Sequence, residues 1–379
     1  MSNGEQTKLN RNDSGKIDVT FLSLVLILLT VGLVMLFSAS YAYSLEYYKN
    51  SYHFITRQAI IAVAGVGAML WLSRIDYHHW RRFAWLLFGA VSVMLLVLLL
   101  LPPMVTGMEV KRWLIIGPIN FQPSELAKLS IILLFSSLIA KNYKSMDKLG
   151  FLVVLLGILA LTCVLVILEP HLSATVLIGC IGVVLIFVGG LPRKYIIIGS
   201  VLVAAVVTLV AVTGVVGYSS DRIEYWLDPW KDPTGEGFQT IQSLLAIGSG
   251  GFLGRGIGQS RQKYLWVPEP HNDFIFSIVC EELGLVGAIV IILLFCLLVW
   301  RGFTIAMHAK DKFGSLLAIG LTFQVGLQAM LNIWVVTNTI PNTGISLPFF
   351  SYGGTSLLFL LAEMGIVLNI SKQSTIDKK

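Results

Sequence analysis

The sequence predicts an all-α polytopic membrane protein with about ten transmembrane helices. Of the 379 residues, 56% are hydrophobic and 13% are charged, whereas soluble domains carry about 25% charged residues. The mean hydropathy is +0.80. Apolar runs reach about 20 residues, the length that an α-helix needs to cross a bilayer. The short alternating strands of a membrane β-barrel are absent from the sequence, so the pattern favours a helical bundle.

Ten apolar segments justify the predicted helices. They are residues 19–41, 55–73, 83–102, 124–141, 150–168, 173–190, 195–217, 274–299, 313–336 and 355–371. The first is too long for the apolar core of a cleaved signal peptide, so we expect it to be retained. We predict one ten-helix domain over residues 19–371, with short polar tails at 1–18 and 372–379. The loop between the seventh and eighth spans, about 218–273, is the longest.

Basic residues at the ends of the spans predict the orientation of the chain. The net charge is +6, and six successive segments on one side of the predicted membrane are basic. Cytoplasmic loops carry an excess of Lys and Arg, so this side and both termini are predicted to be cytoplasmic. The segment 111–125 and the loop 218–273 are then extracytoplasmic. The basic residues on the cytoplasmic side are Lys8, Arg11, Lys16, Arg74, Arg81, Arg82, Lys141, Lys144, Lys148, Arg193, Lys194, Arg301, Lys310, Lys312, Lys372, Lys378 and Lys379.

Asp273 lies where the polar loop turns into the eighth span. Pro268 and Pro270 disfavour helix just before it, so a helix start near Asp273 is expected. One interpretation is that Asp273 caps this helix, as Asp often does. The other is a general base. A helix N-terminus favours the ionised carboxylate, whereas burial opposes ionisation, and the two interpretations are compatible.

The segment that enters the fourth span carries charges close to an apolar run. Glu125 and Lys128 are three residues apart and are able to form an ion pair on one helix. A structural ion pair is one interpretation; the other is that these residues line a pathway or cavity, as ionisable residues inside membranes usually do. Lys111 and Arg112 either bind phosphate groups or extend to the membrane interface.

Three further segments are polar or rich in glycine. Gln239, Gln242 and Ser243 share one face of a predicted helix. Residues 248–258 are glycine-rich but lack the Gly-Lys-Ser/Thr sequence of a P-loop, so a compact turn-rich segment is favoured over a phosphate site. Residues 338–355 are interrupted by Pro and Gly and predict a re-entrant loop, which membranes tolerate only where protein or water covers the backbone.

Taken in order, these motifs resemble the SEDS family of shape, elongation, division and sporulation proteins, which includes RodA, FtsW and SpoVE. The pattern is nearest to FtsW-like and SpoVE-like members, and the resemblance runs from the first span to the tenth. The matching motifs are Lys111-Arg112-Trp113, Gln122-Pro123-Ser124-Glu125-Leu126-Ala127-Lys128, Gln239 to Gly258, Pro268-Glu269 to Asp273-Phe274-Ile275-Phe276, and Pro341 to Gly354.

The resemblance implies a peptidoglycan glycosyltransferase of the bacterial cytoplasmic membrane. Family members have ten membrane helices and polymerise lipid II into glycan strands on the outer face of that membrane. Their essential acid lies in a Pro-Glu-x-x-Thr-Asp-Phe pattern and matches Asp273, with Asn272 in place of the Thr. The family's Glu/Gln-Pro-Asp stretch reads Glu169-Pro170-His171 here, so no role is assigned to His171.

From the motifs and the resemblance we predict Asp273 as the catalytic residue. A divalent cation, Mg²⁺ or Mn²⁺, is left open as an aid in holding the pyrophosphate, and no nucleotide is expected. The resemblance implies lipid II as substrate and, as partners, a class B penicillin-binding protein and other divisome or elongasome membrane proteins. The predicted substrate-binding residues are Lys111, Arg112, Gln122, Glu125, Lys128, Gln239 and Ser243.

Two alternatives from other functional classes remain at this point. A lipid II flippase would also have about ten helices with intramembrane charges, but its distinctive polar residues would cluster at the midplane and not on the outer side. A non-catalytic scaffold of the cell-wall synthesis complex would leave Asp273 as a helix cap and would tolerate its replacement. The sequence does not separate division, elongation and sporulation roles.

Overall fold

The computed structural model describes residues 15–100, 112–116, 119–192, 195, 224–235, 237–264 and 266–374. Within these ranges eight helices are long and apolar enough to cross a membrane, and α6 is a shorter apolar helix. The elements in chain order are α1 Val19–Tyr48, α2 His53–Leu72, α3 His78–Leu100, β1 Leu114–Ile116, β2 Ile119–Phe121, α4 Pro123–Lys141, α5 Leu149–Ile167, α6 Leu172–Val188, α7 Phe238–Gly250, α8 Ile275–Met307, α9 Lys312–Val336 and α10 Gly354–Lys372.

The helical fold predicted from the sequence is confirmed in the described part of the chain. Nine of the ten predicted spans coincide with α1 to α6 and α8 to α10. The predicted span 195–217 lies outside the described residues, apart from Tyr195. Helices α1 and α8 extend past their predicted ends at 41 and 299, to Tyr48 and Met307. The orientation in the membrane and the domain boundaries stay predictions.

Two elements were not predicted as such. An antiparallel hairpin of β1 and β2, in which Leu114 pairs with Phe121, precedes α4. This hairpin is the departure from an all-α architecture. The second element is α7, which lies inside the predicted loop 218–273 and begins at Phe238. A short 3-10 turn, Pro229–Lys231, precedes it. The loop is therefore a folded part of the protein and not an open connection.

Helices α4, α9 and α10 form the centre of the bundle. Their apolar windows are 67%, 72% and 67% buried, whereas those of α2, α3 and α5 are 28%, 28% and 33% buried. Helix α10 packs closely on α2, because a Cβ on Gly365 would lie 2.5 Å from the Met69 carbonyl oxygen. Close approach at small residues is the usual way in which membrane helices pack. The central helices are therefore shielded from lipid by their neighbours.

Helix α8 is broken at Gly284, where φ is 68° and ψ is −169°. The glycine run 248–258 fills this break: Arg255 N and Gly256 N donate to the carbonyls of Glu281 and Glu282, at 2.9 and 3.0 Å. In turn Leu285 N and Val286 N donate to the carbonyls of Gly251 and Phe252, at 2.9 and 3.1 Å. The loop backbone thus supplies the hydrogen bonds that the helix lacks at its break. Glycine is needed at Gly254 because a Cβ there would lie 2.2 Å from the Glu282 carbonyl oxygen.

Glu281 and Glu282 anchor the same loop by their side chains. Glu281 accepts the backbone N–H of Arg261 at 2.9 Å and the hydroxyl of Ser260. Glu282 accepts the Ser38 hydroxyl at 2.6 Å and pairs with Lys263 at 3.1 Å. Both carboxylates are buried, and buried charges are retained where they are paired and hydrogen-bonded. Interhelical and loop partners therefore account for these two acids.

The other end of α8 is tied to the start of α1. Arg301 pairs with Asp18 at 2.7 Å, and the Asp18 side chain also accepts the backbone N–H of Phe21 at 2.8 Å as the N-cap of α1. The backbone N–H of Asp18 donates to the Ser371 hydroxyl at the end of α10. These contacts hold the ends of three helices together at the face of the bundle opposite the glycine run.

Candidate functional site

Asp273 does not cap a helix in this structure. Helix α8 begins at Ile275, its N-cap position is Phe274, and no side chain donates or accepts a capping hydrogen bond there. The capping interpretation of Asp273 is therefore wrong. Asp273 is a half-buried residue, and within the described part of the chain no group donates a hydrogen bond to its carboxylate, which leaves that carboxylate able to accept one from a substrate.

The backbone around Asp273 is held by the loop 337–353, which connects α9 to α10. The side-chain amide of Asn332 donates to the Asp273 carbonyl at 2.7 Å. The Ser351 hydroxyl donates to the Asn272 carbonyl at 2.8 Å, and Tyr352 N donates to the carbonyl of His271 at 2.8 Å. The carbonyls of three consecutive residues, 271 to 273, are thus held by α9 and by the loop that follows it, and this fixes the backbone from which the Asp273 carboxylate projects.

Gly344 of the 337–353 loop lies directly beside the Asp273 carboxylate. A Cβ built on Gly344 would lie 3.2 Å from Oδ2 of Asp273, and Gly344 has φ of +68°. A glycine at this position leaves room beside the carboxylate and adopts the left-handed conformation without strain. The motif that runs from Pro341 to Gly354 therefore meets the Asp273 motif in space.

Two charged neighbours act on Asp273 in opposite directions. The pKa of Asp273 is raised to about 6: burial and the negative charge of Glu269 raise it, and the positive charge of Arg112 lowers it. An ordinary aspartate has a pKa of about 3.9. A carboxylate with a pKa close to neutrality is ionised at pH 7 and is also a stronger base than an ordinary aspartate.

Arg112 is close to a second acid, Glu169. Arg112 donates to the carbonyl of Pro170, the residue next to Glu169. Glu169 is 1% exposed, and neither of its carboxyl oxygens has a hydrogen-bond partner in the described part. Burial raises the pKa of Glu169 to about 8, and Arg112 opposes this rise. Glu169 is therefore mainly protonated at pH 7 and adds no negative charge beside Arg112.

His171 connects this turn to the start of α4. Its Nδ1 lies 3.2 Å from the Ser124 hydroxyl and 3.5 Å from the Gln122 amide. Burial and the positive charges of Arg112 and Lys128 together lower the pKa of His171 to about 3. The imidazole is therefore neutral at physiological pH. Gln122 contacts the Glu169–His171 turn, which Arg112 also contacts.

Glu125 and Lys128 form the predicted ion pair at 2.9 Å. Lys128 is 1% exposed, and its Nζ also donates to Gln328 at 3.1 Å. Gln328 in turn donates to the carbonyl of Ser346 at 3.0 Å. The pair is structural, and Glu125 also lines a small pocket of about 30 Å³ between α4, α9, α10 and the 337–353 loop.

Gln239 and Ser243 lie on α7, at the edge of the same loop. The Asn342 amide donates to Gln239 Oε1 at 3.1 Å. Ser243 is fully buried, and its hydroxyl donates to the Val336 carbonyl at the end of α9, at 2.8 Å. Gln239 is thus near the site, whereas Ser243 holds α7 against α9 and has no surface open to a substrate.

The 337–353 loop is the element on which these predicted site residues converge. Gly344 of this loop lies beside the Asp273 carboxylate. Asn332 and Gln328, both on α9, connect the loop to Asp273 and to α4. Gln239 connects it to α7. The carbonyl of Thr343 also accepts the hydroxyl of Ser173 at the start of α6. Lys111 lies outside the described residues, so the structure does not place it.

Asn332, Gln328 and Glu169 were not among the predicted site residues. The signal that would have indicated Asn332 and Gln328 is the presence of amide side chains within an otherwise apolar helix, which usually marks a functional position. Glu169 precedes a proline at the end of α5 and resembled an ordinary helix stop. Its burial beside Arg112 depends on the packing of distant segments.

The side chains present do not build a metal site by themselves. In the ranges that the structure describes, no three His, Cys, Asp or Glu side chains converge in a way that would hold a cation. Divalent cations such as Mg²⁺ need several oxygen ligands.

Comparison with known proteins identifies the family. Residues 19–376 match the family of cell cycle proteins that comprises FtsW, RodA and SpoVE. Stage V sporulation protein E of Bacillus subtilis (strain 168) is 40% identical over 361 residues, covering 94% of this chain and 97% of that protein. A Geobacter metallireducens protein named "Probable peptidoglycan glycosyltransferase FtsW" is 38% identical over 372 residues, covering 96% and 97%.

Solved structures agree with this match. One chain, from a structure described as "Structural coordination of polymerization and crosslinking by a peptidoglycan synthase complex", superposes with a TM-score of 0.79 at 28% identity, covering 95% of this chain and 99% of that one. The rod shape determining protein RodA of Thermus thermophilus gives a TM-score of 0.69 at 26% identity, covering 95% and 98%. This chain is a multi-pass membrane protein that belongs to the FtsW/RodA/SpoVE family.

Proposed function

We propose that this protein is a peptidoglycan glycosyltransferase that polymerises lipid II on the outer face of the bacterial cytoplasmic membrane. The observation that carries the proposal is Asp273, a half-buried residue whose carboxylate caps no helix and has a pKa raised to about 6. It lies in the motif that the family resemblance assigns to the essential acid. The similarity to proteins named peptidoglycan glycosyltransferase supports the same reaction.

In the proposed reaction Asp273 acts as the general base. The C4 hydroxyl oxygen of one lipid-linked disaccharide forms a bond to the anomeric carbon of another, and Asp273 accepts the hydroxyl proton. The bond between that carbon and the pyrophosphate oxygen breaks, so undecaprenyl pyrophosphate leaves with the bonding electrons. A direct displacement of this kind inverts the anomeric carbon and needs one base and a stabilised leaving group.

Arg112 is the residue of the described part best placed to stabilise the leaving group. Its positive charge acts on Asp273, Glu169 and His171, and a guanidinium binds phosphate oxygens in a bidentate fork. Lys111 is proposed to assist. Lys128 is buried and paired with Glu125, so we assign to this pair the shaping of the pocket beside the 337–353 loop.

We further propose that a class B penicillin-binding protein is the partner that crosslinks the strands. The similarity to a chain of a peptidoglycan synthase complex supports this assignment. A divalent cation remains a proposal, and the residues described here assign it no ligands.

The function is tested with the purified protein, its partner and lipid II, by following glycan strand formation. We expect strands from the wild type and none from Asp273→Asn, which keeps the shape of the side chain but removes the base. A matched control is Glu224→Gln, which removes an exposed carboxylate of the same loop that is paired with Lys231. This variant should be as active as the wild type.

The remaining outcomes discriminate between the alternatives. Strands from both the wild type and Asp273→Asn would keep the transferase and move the base to another acid, with Glu269 next in order, because the Glu281 carboxylate is buried and bonded to the loop. Strands from neither, with a folded complex, would contradict the transferase and favour the transporter or scaffold interpretation.

A further inference from the structure

The glycine run exposes two large apolar side chains. Phe252 is 76% exposed and Leu253 is 80% exposed, although both belong to a segment whose backbone is bonded into the break of α8. Large exposed apolar side chains that lie side by side usually mark a surface that contacts a lipid or another protein. The depth of these residues along α8 distinguishes between these partners.

The hydrogen bonds across the break place Phe252 at a defined depth. Its carbonyl accepts from Val286 N at 3.1 Å, and that of Gly251 accepts from Leu285 N at 2.9 Å. The α8 end that pairs Arg301 with Asp18 marks the opposite boundary of the apolar layer. At 1.5 Å per residue, Leu285 is about 24 Å from Arg301 along the helix, within a hydrocarbon core about 30 Å thick.

The side of α8 next to the loop is apolar and exposed. Leu285, Val286, Ile289, Val290 and Leu293 are 46% to 54% exposed and recur at the spacing of one helical face. In a helix of this membrane protein such a face contacts lipid. Phe252 and Leu253 continue this lipid-facing surface at the Asp273 end of α8.

Part of the loop backbone is hydrogen-bonded within the protein. Membranes tolerate non-helical backbone at depth only where protein or water covers it, so the exposed backbone of the run is expected at the edge of the hydrocarbon layer, with the apolar side chains reaching into it. Gly254 N donates to the Gly250 carbonyl at 2.9 Å, and Arg255 N and Gly256 N donate to α8. The Arg255 side chain donates to the Ser249 carbonyl at 3.2 Å and lies 3.6 Å from Glu281.

We propose that Phe252 and Leu253 insert between the phospholipid acyl chains of the leaflet at the Asp273 end of α8. The occupant of this surface is the bilayer itself, since the surface is continuous with the lipid-facing side of α8. Insertion would anchor the glycine run, and with it the first turns of α8 that follow Asp273, at a fixed depth. This inference does not depend on the proposed reaction.

The test replaces Leu253 with the photoreactive residue p-benzoylphenylalanine in the full-length protein. The protein is reconstituted in vesicles of synthetic phosphatidylethanolamine and phosphatidylglycerol of known mass, irradiated, and examined by intact-protein mass spectrometry. We expect a mass shift equal to one phospholipid. The same substitution at Ile289 is the positive control for a lipid-facing position and for correct folding.

Trp230 provides the matched negative control. It is 63% exposed but lies between Asp228 and Lys231 in a polar turn. The photoreactive residue placed at Trp230 should therefore give no phospholipid adduct. Lack of an adduct at Leu253 while Ile289 gives one would overturn the proposal. A crosslink between two copies of this chain at Leu253, in place of the phospholipid adduct, would assign the surface to a protein contact and would also overturn the proposal.

Discussion

Asp273 gains its basicity chiefly from burial. Burial and Glu269 raise its pKa, and Arg112 lowers it, with a result of about 6. Because the pKa of Asp273 is raised in the folded state, the free energy of unfolding decreases as the pH rises through about 6 and Asp273 ionises. For catalysis the sign is opposite, because only the ionised form accepts a proton.

The rate of glycan polymerisation should therefore depend on pH through Asp273. We expect kcat/KM to rise with pH and to level off above about 6, falling about tenfold per pH unit on the acid side. The measurement is a pH–rate profile with purified complex and lipid II. A rate that stays flat from pH 5 to 7 would contradict this assignment.

Glu269→Gln is the control that assigns this acid limb to Asp273. Glu269 raises the pKa of Asp273, so removing its charge should move the limb to lower pH and leave the plateau rate intact. A shift to higher pH would show that another group controls the profile.

The candidate site was predictable from the sequence where its residues lie in local motifs. Asp273, Arg112 and the Glu125–Lys128 pair stand in short patterns with recognisable chemistry. The hydrogen bond from the Asn332 side chain to the Asp273 carbonyl was not predictable, because it joins residues 59 positions apart. Glu169 was likewise missed, since its lack of partners follows from tertiary packing and not from its neighbours in the chain.

At the scale of elements, the glycine run and α8 form one unit. The apolar pattern of α8 predicts a continuous helix, and no local signal other than Gly284 indicates the break. The partner that completes the helix comes from about 30 residues earlier in the chain. Sequence patterns predict the hydrogen bonds within a helix well. They do not show that a distant loop supplies some of the hydrogen bonds of that helix.

Two glycines of the run make a matched pair for testing this unit. A Cβ on Gly254, φ +79°, would lie 2.2 Å from the Glu282 carbonyl oxygen, whereas Gly258, φ +83°, has nothing within 4 Å. We expect Gly258→Ala to cost about 1 kcal/mol through its positive φ alone. Gly254→Ala should cost a further 1–3 kcal/mol, roughly, from overpacking.

Thermal unfolding in detergent measures this difference. Gly254→Ala should unfold at a clearly lower temperature than Gly258→Ala. Equal unfolding temperatures for the two variants would contradict the close packing of the run against α8.

On the scale of the whole molecule, composition predicted the helical class but neither the β1–β2 hairpin nor α7. A bilayer admits only helices or closed barrels, so apolar runs of about 20 residues fix the class and most of the helix positions. Which helices are central could not be predicted in this way, because α4, α9 and α10 are no more apolar than their neighbours. Their central position follows from interhelical contacts.

The orientation of the molecule is a prediction that fusions can check. Both termini are predicted to be cytoplasmic, because the basic short loops lie on their side. Green fluorescent protein fused after Lys379 should fluoresce. Alkaline phosphatase inserted after Lys231 should be active, because this enzyme is active only in the periplasm or outside the cell. The reverse pattern would invert the assignment and place Asp273 on the cytoplasmic side.

The shared bonding of the glycine run and α8 also constrains how this protein can vary through evolution. Without the run, two carbonyls, of Glu281 and Glu282, and two amides, of Leu285 and Val286, lose the partners they have here. Each unsatisfied group at membrane depth costs several kcal/mol. Recombination between relatives is therefore tolerated when the loop and α8 are inherited as one module, and an exchange that separates them carries a penalty before selection on activity begins.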